Sequence, residues 1–160
     1  HMQYEHLIEV NDPNNPMLTQ LTRQQLWRGL IHRIEAPGEF LPGVEAVTLV
    51  SRSDVHIERV MQLGALSVHD RIDLEHEQQL HYHTRAGSNH LGGELVVTIE
   101  EPDEGHLFVR FRYDTPVADL PEDGVDYVGY LKAAYRKMDA EAIGLIRELA
   151  ATDRLDGPAA

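Results

Sequence analysis

The sequence contains no cysteine. Disulfides, thiolate metal ligands and cysteine nucleophiles are therefore excluded. Basic residues are scarce: 14 lysines and arginines stand against 27 aspartates and glutamates, a formal net charge of −13. Such a surface repels phosphate backbones and anionic lipid, so neither nucleic acid nor a membrane is an expected partner. No apolar run approaches the ~20 residues that a spanning helix needs, and no signal peptide is visible. Together with the missing cysteines this reads as a cytoplasmic chain. There is no glycine-rich phosphate loop. Ser51, Ser53, Ser67 and Ser88 lack the strand-turn-helix setting of a hydrolase nucleophile.

What is present is enough for one domain with a substantial core: 160 residues, 42% of them apolar. His1 and Met2 look like a cloning remnant before or at the natural start. A single domain is expected over 3–152, followed by a loose tail at 153–160. The strongest pattern is a long helix over Val125 to Ala151. Val128, Leu131, Tyr135, Met138, Ala142, Leu145 and Leu149 recur at alternating steps of three and four, which puts them on one face. Asp123 is placed to cap its first turn, and Asp139, Glu141, Arg147 and Glu148 fall mostly off the stripe.

Tyr4 to Val10 reads as a strand with Tyr4, His6, Ile8 and Val10 on one face, followed by an Asn/Pro turn cluster. Thr22, with Gln25 three residues on, predicts a capping box for a helix running to about Ile34. Ala36-Pro37-Gly38 breaks that helix, and at most one helical turn follows before Pro42-Gly43. From Val44 to Thr115 the pattern is strands and turns, with strands expected at 44–52, 55–63, 66–76, 79–85, 91–100 and 106–115. The order defines an α+β chain with an antiparallel sheet.

Two hairpins can be registered. A tight turn at Gly64-Ala65 sets Met61 against Val68, Ile57 against Ile72, and Arg59 against Asp70. A turn over Glu101 to Gly105 sets Ile99 against Leu107, Val97 against Val109, Leu95 against Phe111, Glu94 against Arg112 and Gly93 against Tyr113. Both registers put apolar pairs on one face and opposite charges on the other. Arg59 and Asp70 break the rule, because they oppose each other on the apolar face. Local conflicts of this kind concentrate at functional sites.

Leu21 to Leu30 (LTRQQLWRGL), Phe40-Leu41-Pro42-Gly43, Leu107 to Tyr113 (LFVRFRY), Tyr135 to Asp139 and Ile146 to Leu149, in this order of elements, resemble one family. They are similar to the AtaL-like branch of the SRPBCC superfamily of START and birch-pollen-allergen proteins. The resemblance spans nearly the whole chain, and none of these stretches is a catalytic signature. It implies the helix-grip fold: a curved antiparallel sheet wrapped around a long C-terminal helix, with two short helices after the first strand. It also implies an apolar tunnel between sheet and helix. Activities in the superfamily include lipid and hormone binding, polyketide cyclisation and dehydration. A non-haem iron branch carries an iron–sulfur domain that this chain lacks.

The expected function is binding of a small hydrophobic or aromatic molecule in that cavity. The alternative is an acid/base enzyme of the polyketide cyclase or dehydratase kind. Arg59 would anchor a carboxylate or enolate, and Asp70 would orient it or move a proton; these two are the catalytic candidates. Tyr82, Thr84 and Tyr113 offer hydroxyls, while Phe111, Leu131, Tyr135 and Met138 supply wall. His81-x-His83 could hold a metal only if a third ligand converged, and alternation with Leu80 and Tyr82 turns both histidines to solvent. A one-residue slip would reverse that face. No metal or cofactor is expected, and a homodimer is left open.

Overall fold

The computed structural model describes residues 1–117 and 126–156. Seven strands form one antiparallel sheet in the order β1-β7-β6-β5-β4-β3-β2. They are β1 (Met2–Glu9), β2 (Ala46–Arg52), β3 (His56–Leu63), β4 (Leu66–Glu75), β5 (Gln79–Thr84), β6 (Gly93–Asp103) and β7 (His106–Thr115). The helix α1 (Arg23–Glu35) and a 3-10 turn at Pro37–Glu39 lie between β1 and β2, and α2 (Tyr127–Ala151) closes the chain.

Local chemistry explains the start of α1. Thr22 accepts from the Gln25 backbone N–H while the Gln25 side chain accepts from the Thr22 N–H, so the expected capping box is complete. The β3–β4 hairpin pairs as its sequence dictates, with Arg59 opposite Asp70 and Ile57 opposite Ile72. The β6–β7 register differs from the expected one by two residues. Val97 faces Phe111, Leu95 faces Tyr113 and Ile99 faces Val109, while Glu94 pairs with Asp114 rather than Arg112. The cause is a longer β6: it continues through a bulge between Glu100 and Asp103, and the turn shrinks to Glu104-Gly105. A shift of two preserves the faces. Gly93 therefore does not sit opposite Tyr113. Its φ is +127°, and a Cβ there would lie 2.7 Å from the Asp114 carbonyl oxygen.

On β5, Leu80, Tyr82 and Thr84 point inward and His81 and His83 point out, as alternation implies: Tyr82 pairs with Ile72, and Thr84 with Asp70. The expected cap Asp123 and first residue Val125 of the long helix lie outside the described residues. Asp126 caps α2 by accepting from the Gly129 N–H. The buried face of α2 is turned about one residue from the expected stripe, and consists of Asp139, Ala142, Ile143, Ile146, Leu149 and Ala150. Asp139, expected off the stripe, is fully enclosed.

The core lies between α1, the second half of α2 and the inner face of the sheet. Leu26, Ile34, Ile57, Ile72, Val109, Phe111, Ile143 and Ile146 are all fully buried there. The expected loose tail is packed at its beginning. Leu155 joins this core, and its carbonyl accepts from Arg28 on α1. Among the described residues no helix is long and apolar enough to cross a membrane.

Candidate functional site

The inner face carries two buried polar clusters. The first centres on Asp139, whose side chain has no solvent exposure. One carboxylate oxygen, Oδ2, accepts from the Tyr113 hydroxyl at 2.6 Å and lies 2.7 Å from His6 Nε2. The other, Oδ1, accepts from Arg33 at 3.0 Å. Each partner comes from a different element: Tyr113 from β7, His6 from β1 and Arg33 from α1. A buried carboxylate is tolerated when donors surround it in this way. The short contact to His6 assigns the proton to Nε2 of that ring. His6 stacks on Phe111 with centroids 5.0 Å apart. Tyr113 stacks face to face on Tyr135 of α2 at 3.9 Å, and the Tyr135 hydroxyl meets Thr115 Oγ1 at 3.1 Å.

Burial, and then the Asp139 charge, push the Tyr113 phenol well above 10. It stays a proton donor through the neutral range. Burial alone would lower Arg33, but Asp139 and the phenols of Tyr82 and Tyr113 more than reverse this, and the guanidinium stays charged.

The second cluster is the Arg59–Asp70 pair. Both residues are 6% exposed. Arg59 Nε donates to Asp70 Oδ1 at 2.8 Å and its NH2 to Oδ2 at 3.1 Å, a two-pronged pair. Its NH1 donates to the Ile34 carbonyl at 2.6 Å, satisfying an orphan group at the end of α1. The pair thus ties the sheet to α1. Tyr82 connects the two clusters. Its ring lies 5.8 Å from the Arg59 guanidinium, and burial raises its phenol against the opposing pull of Arg59 and Arg33.

The other expected residues fall into two groups. Phe111 is fully enclosed and forms the floor beneath His6. Tyr82, Thr84, Leu131, Tyr135 and Met138 are only half-buried. His6, Arg33 and Asp139 were missed. The inward face of β1 did include His6, and Asp139 lies four residues after Tyr135, so these were the available signals. What the arrangement can do is hold the Tyr113 phenol and the His6 ring in fixed positions on the inner face of the sheet. The Asp139 carboxylate is shielded from direct contact.

An antiparallel sheet gripping a C-terminal helix is the helix-grip fold, and solved structures of aromatase/cyclases and of a START superfamily protein share it. The chain belongs to the AtaL family: the family model described as acetylaranotin biosynthesis cluster protein L matches residues 8–153. No curated protein matches the sequence. Similar solved structures include the Aha1 dimer from Colwellia psychrerythraea, at TM-score 0.61 and 9% identity, covering 92% of this chain and 97% of that one. The Zhui aromatase/cyclase from Streptomyces sp. R1128 aligns at TM-score 0.59 and 14% identity, covering 94% of this chain and 93% of that one. A START superfamily protein from Mycobacterium smegmatis aligns at TM-score 0.58 and 12% identity, covering 92% and 98%. At such identities the likeness carries the fold.

Proposed function

We propose that the chain binds a small hydrophobic or aromatic molecule between the inner face of the sheet and the first half of α2. The observation that carries this reading is a gradient of burial along α2. Its second half is sealed against α1 and the sheet by Ile143, Ile146 and Leu149. Along its first half Leu131, Tyr135 and Met138 stay half-buried, as do Tyr82, Thr84 and Leu95 on the inner face of the sheet. Apolar ligand area leaving water there is worth roughly 25 cal/mol per Å². Tyr82, Tyr113 and Tyr135 supply hydrogen bonds that orient the ligand, and Arg59 and Asp70 hold the wall that carries Tyr82. Native mass spectrometry of protein from its own host tests the reading. A stoichiometric small molecule released on denaturation is the expected result. Failure of the protein to retain any compound from an aromatic and polyketide-like library, with Tyr135→Ala no different from wild type, overturns it.

A second reading is an acid/base enzyme of the cyclase or dehydratase kind in the same space. The Tyr113–Asp139–His6 array favours it, since His6 and Tyr113 could exchange a proton with an enolisable ligand. The family description and the Zhui likeness point the same way. Turnover of such a compound that is lost in His6→Gln, with ligand retention intact, separates it from binding alone. A cytoplasmic location and self-association complete the proposal. The second rests on the Aha1 dimer likeness and on edge strand β2, where Leu49 and Val50 are 38% and 58% exposed; analytical ultracentrifugation reads it directly.

A further inference from the structure

The outer face of the sheet holds a cluster that the inner site does not use. His81 and His83 are two residues apart on β5, so both side chains leave the same face. On β6, Glu94 pairs directly with His83. One ligand atom from each of these three residues lies within 4.8 Å of the other two. Glu94 Oε1 is 3.0 Å from His83 Nδ1 and 3.3 Å from His81 Nε2. The imidazoles stack at 3.9 Å. We propose that His81 Nε2, His83 Nδ1 and Glu94 form a binding site for a divalent transition-metal ion on the outer face.

Three observations lead there. First, the two edges that meet at Glu94 fit. A tetrahedral ion with bonds of about 2.0–2.1 Å separates its ligand atoms by roughly 3.3–3.4 Å, close to the two spacings measured here. Second, His81 Nε2 is buried without a hydrogen-bond partner, although Glu94 lies beside it. An orphaned ring nitrogen 3.3 Å from a carboxylate oxygen, with no hydrogen bond between the two, is a group that an ion would satisfy. Third, the far side of His83 is already arranged for ligation. Its Nε2 lies 3.1 Å from Asp73 Oδ2, and Asp73 is itself held by Arg71 at 3.0 Å. A proton on Nε2 directed to Asp73 leaves Nδ1 unprotonated 3.0 Å from Glu94 Oε1, and two acceptors at that spacing repel unless a cation lies between them. A carboxylate bonded to the remote nitrogen of a ligating histidine is the usual outer-shell support. Two imidazoles and one carboxylate favour zinc, cobalt, nickel or copper over magnesium or calcium.

The cluster also borders a groove of about 510 Å³ on the same face, lined in part by His81, Glu94, Val96 and Arg112. An ion with three protein ligands keeps a position open for water or an anion, and the groove gives access to it. This site lies across the sheet from the proposed ligand space, so the two readings stand or fall separately.

Calorimetric titration of metal-stripped protein with zinc chloride is the test, with cobalt chloride as a spectroscopic probe. One equivalent of zinc, and the intense visible bands of four-coordinate cobalt, are expected. Both should vanish in His81→Ala and in His83→Ala. Asp73→Asn should weaken zinc by about 10–100-fold, and circular dichroism should show every variant folded, because these side chains lie outside the core. No binding at micromolar metal overturns the proposal. So does binding that persists in the His81→Ala/His83→Ala double variant, which would place the metal on other histidines.

Discussion

At the residue scale, Asp139 is held from three sides. Three donors from three elements converge on one carboxylate that water does not reach. Asp139→Ala leaves the Tyr113 hydroxyl and the His6 ring facing a void, and removes the counter-charge of Arg33. Breaking a buried pair from one side costs about 3–5 kcal/mol, and that is the loss expected in a urea titration at neutral pH. Asp139→Asn keeps one accepting oxygen but turns an amide donor toward one of the donors, so its cost should fall between wild type and alanine. A loss below about 1 kcal/mol for alanine would put the carboxylate in the class of surface groups. Arg59 and Asp70 were legible from sequence for a reason that Asp139 does not share. They face each other across a short hairpin, where the tight turn at Gly64-Ala65 leaves one register. On a helix, the face read from apolar spacing is uncertain by about one residue, a rotation of some 100°. That rotation is the difference between Asp139 on the rim and Asp139 at the centre.

At the element scale, the same contrast separates what local chemistry decides from what distant packing decides. The capping box of α1 is local, and it was legible. Thr22→Ala should cost about 1 kcal/mol, read as a lower thermal midpoint. The place where α1 crosses α2 is not local. Gly29 is buried on α1, and a Cβ there would lie 2.4 Å from Ile146 Cγ2. Ile146 is itself fully buried and β-branched, so it cannot swing aside. Gly29→Ala should therefore destabilise by about 1–3 kcal/mol, even though alanine gains up to about 1 kcal/mol of helix propensity. A more stable Gly29→Ala protein in a denaturant titration would show that the helices part freely. The β6–β7 register illustrates a third case. Alternation gave the faces correctly, but the bulge between Glu100 and Asp103 leaves no trace in a period of two, so the pairing slid by two residues. The outer-face triad suffered differently: both histidines were read on the solvent side, and only the pairing of β5 with β6 brings Glu94 to them.

At the scale of the whole molecule, the two halves of α2 divide the protein into a sealed end and the half-buried end proposed to receive a ligand, and the tyrosines report on the boundary. Tyr82 and Tyr113 both have phenols raised above the ordinary value of 10.0, chiefly through burial. For a group whose pKa is higher in the folded state, the stabilisation is complete below the unfolded value. It is lost as pH rises from there through the folded value, because the unfolded chain ionises first. The stability of the protein should therefore be insensitive to these phenols up to about pH 10 and fall above it. Tyr113→Phe should flatten that fall by removing one contributor, at the cost of the hydrogen bond to Asp139. Tyrosinate absorbance at alkaline pH gives the site-level check. Part of it should appear only beyond the range in which the urea-unfolded chain titrates, and Tyr113→Phe should remove a share of that late part. If the folded and unfolded curves coincide, water reaches both phenols, and the inner face cannot be the dry surface on which an apolar ligand would be held. If they separate, and the separation widens when a ligand is added, the ligand lies against Tyr82 or Tyr113 and the receptive end of α2 has been located.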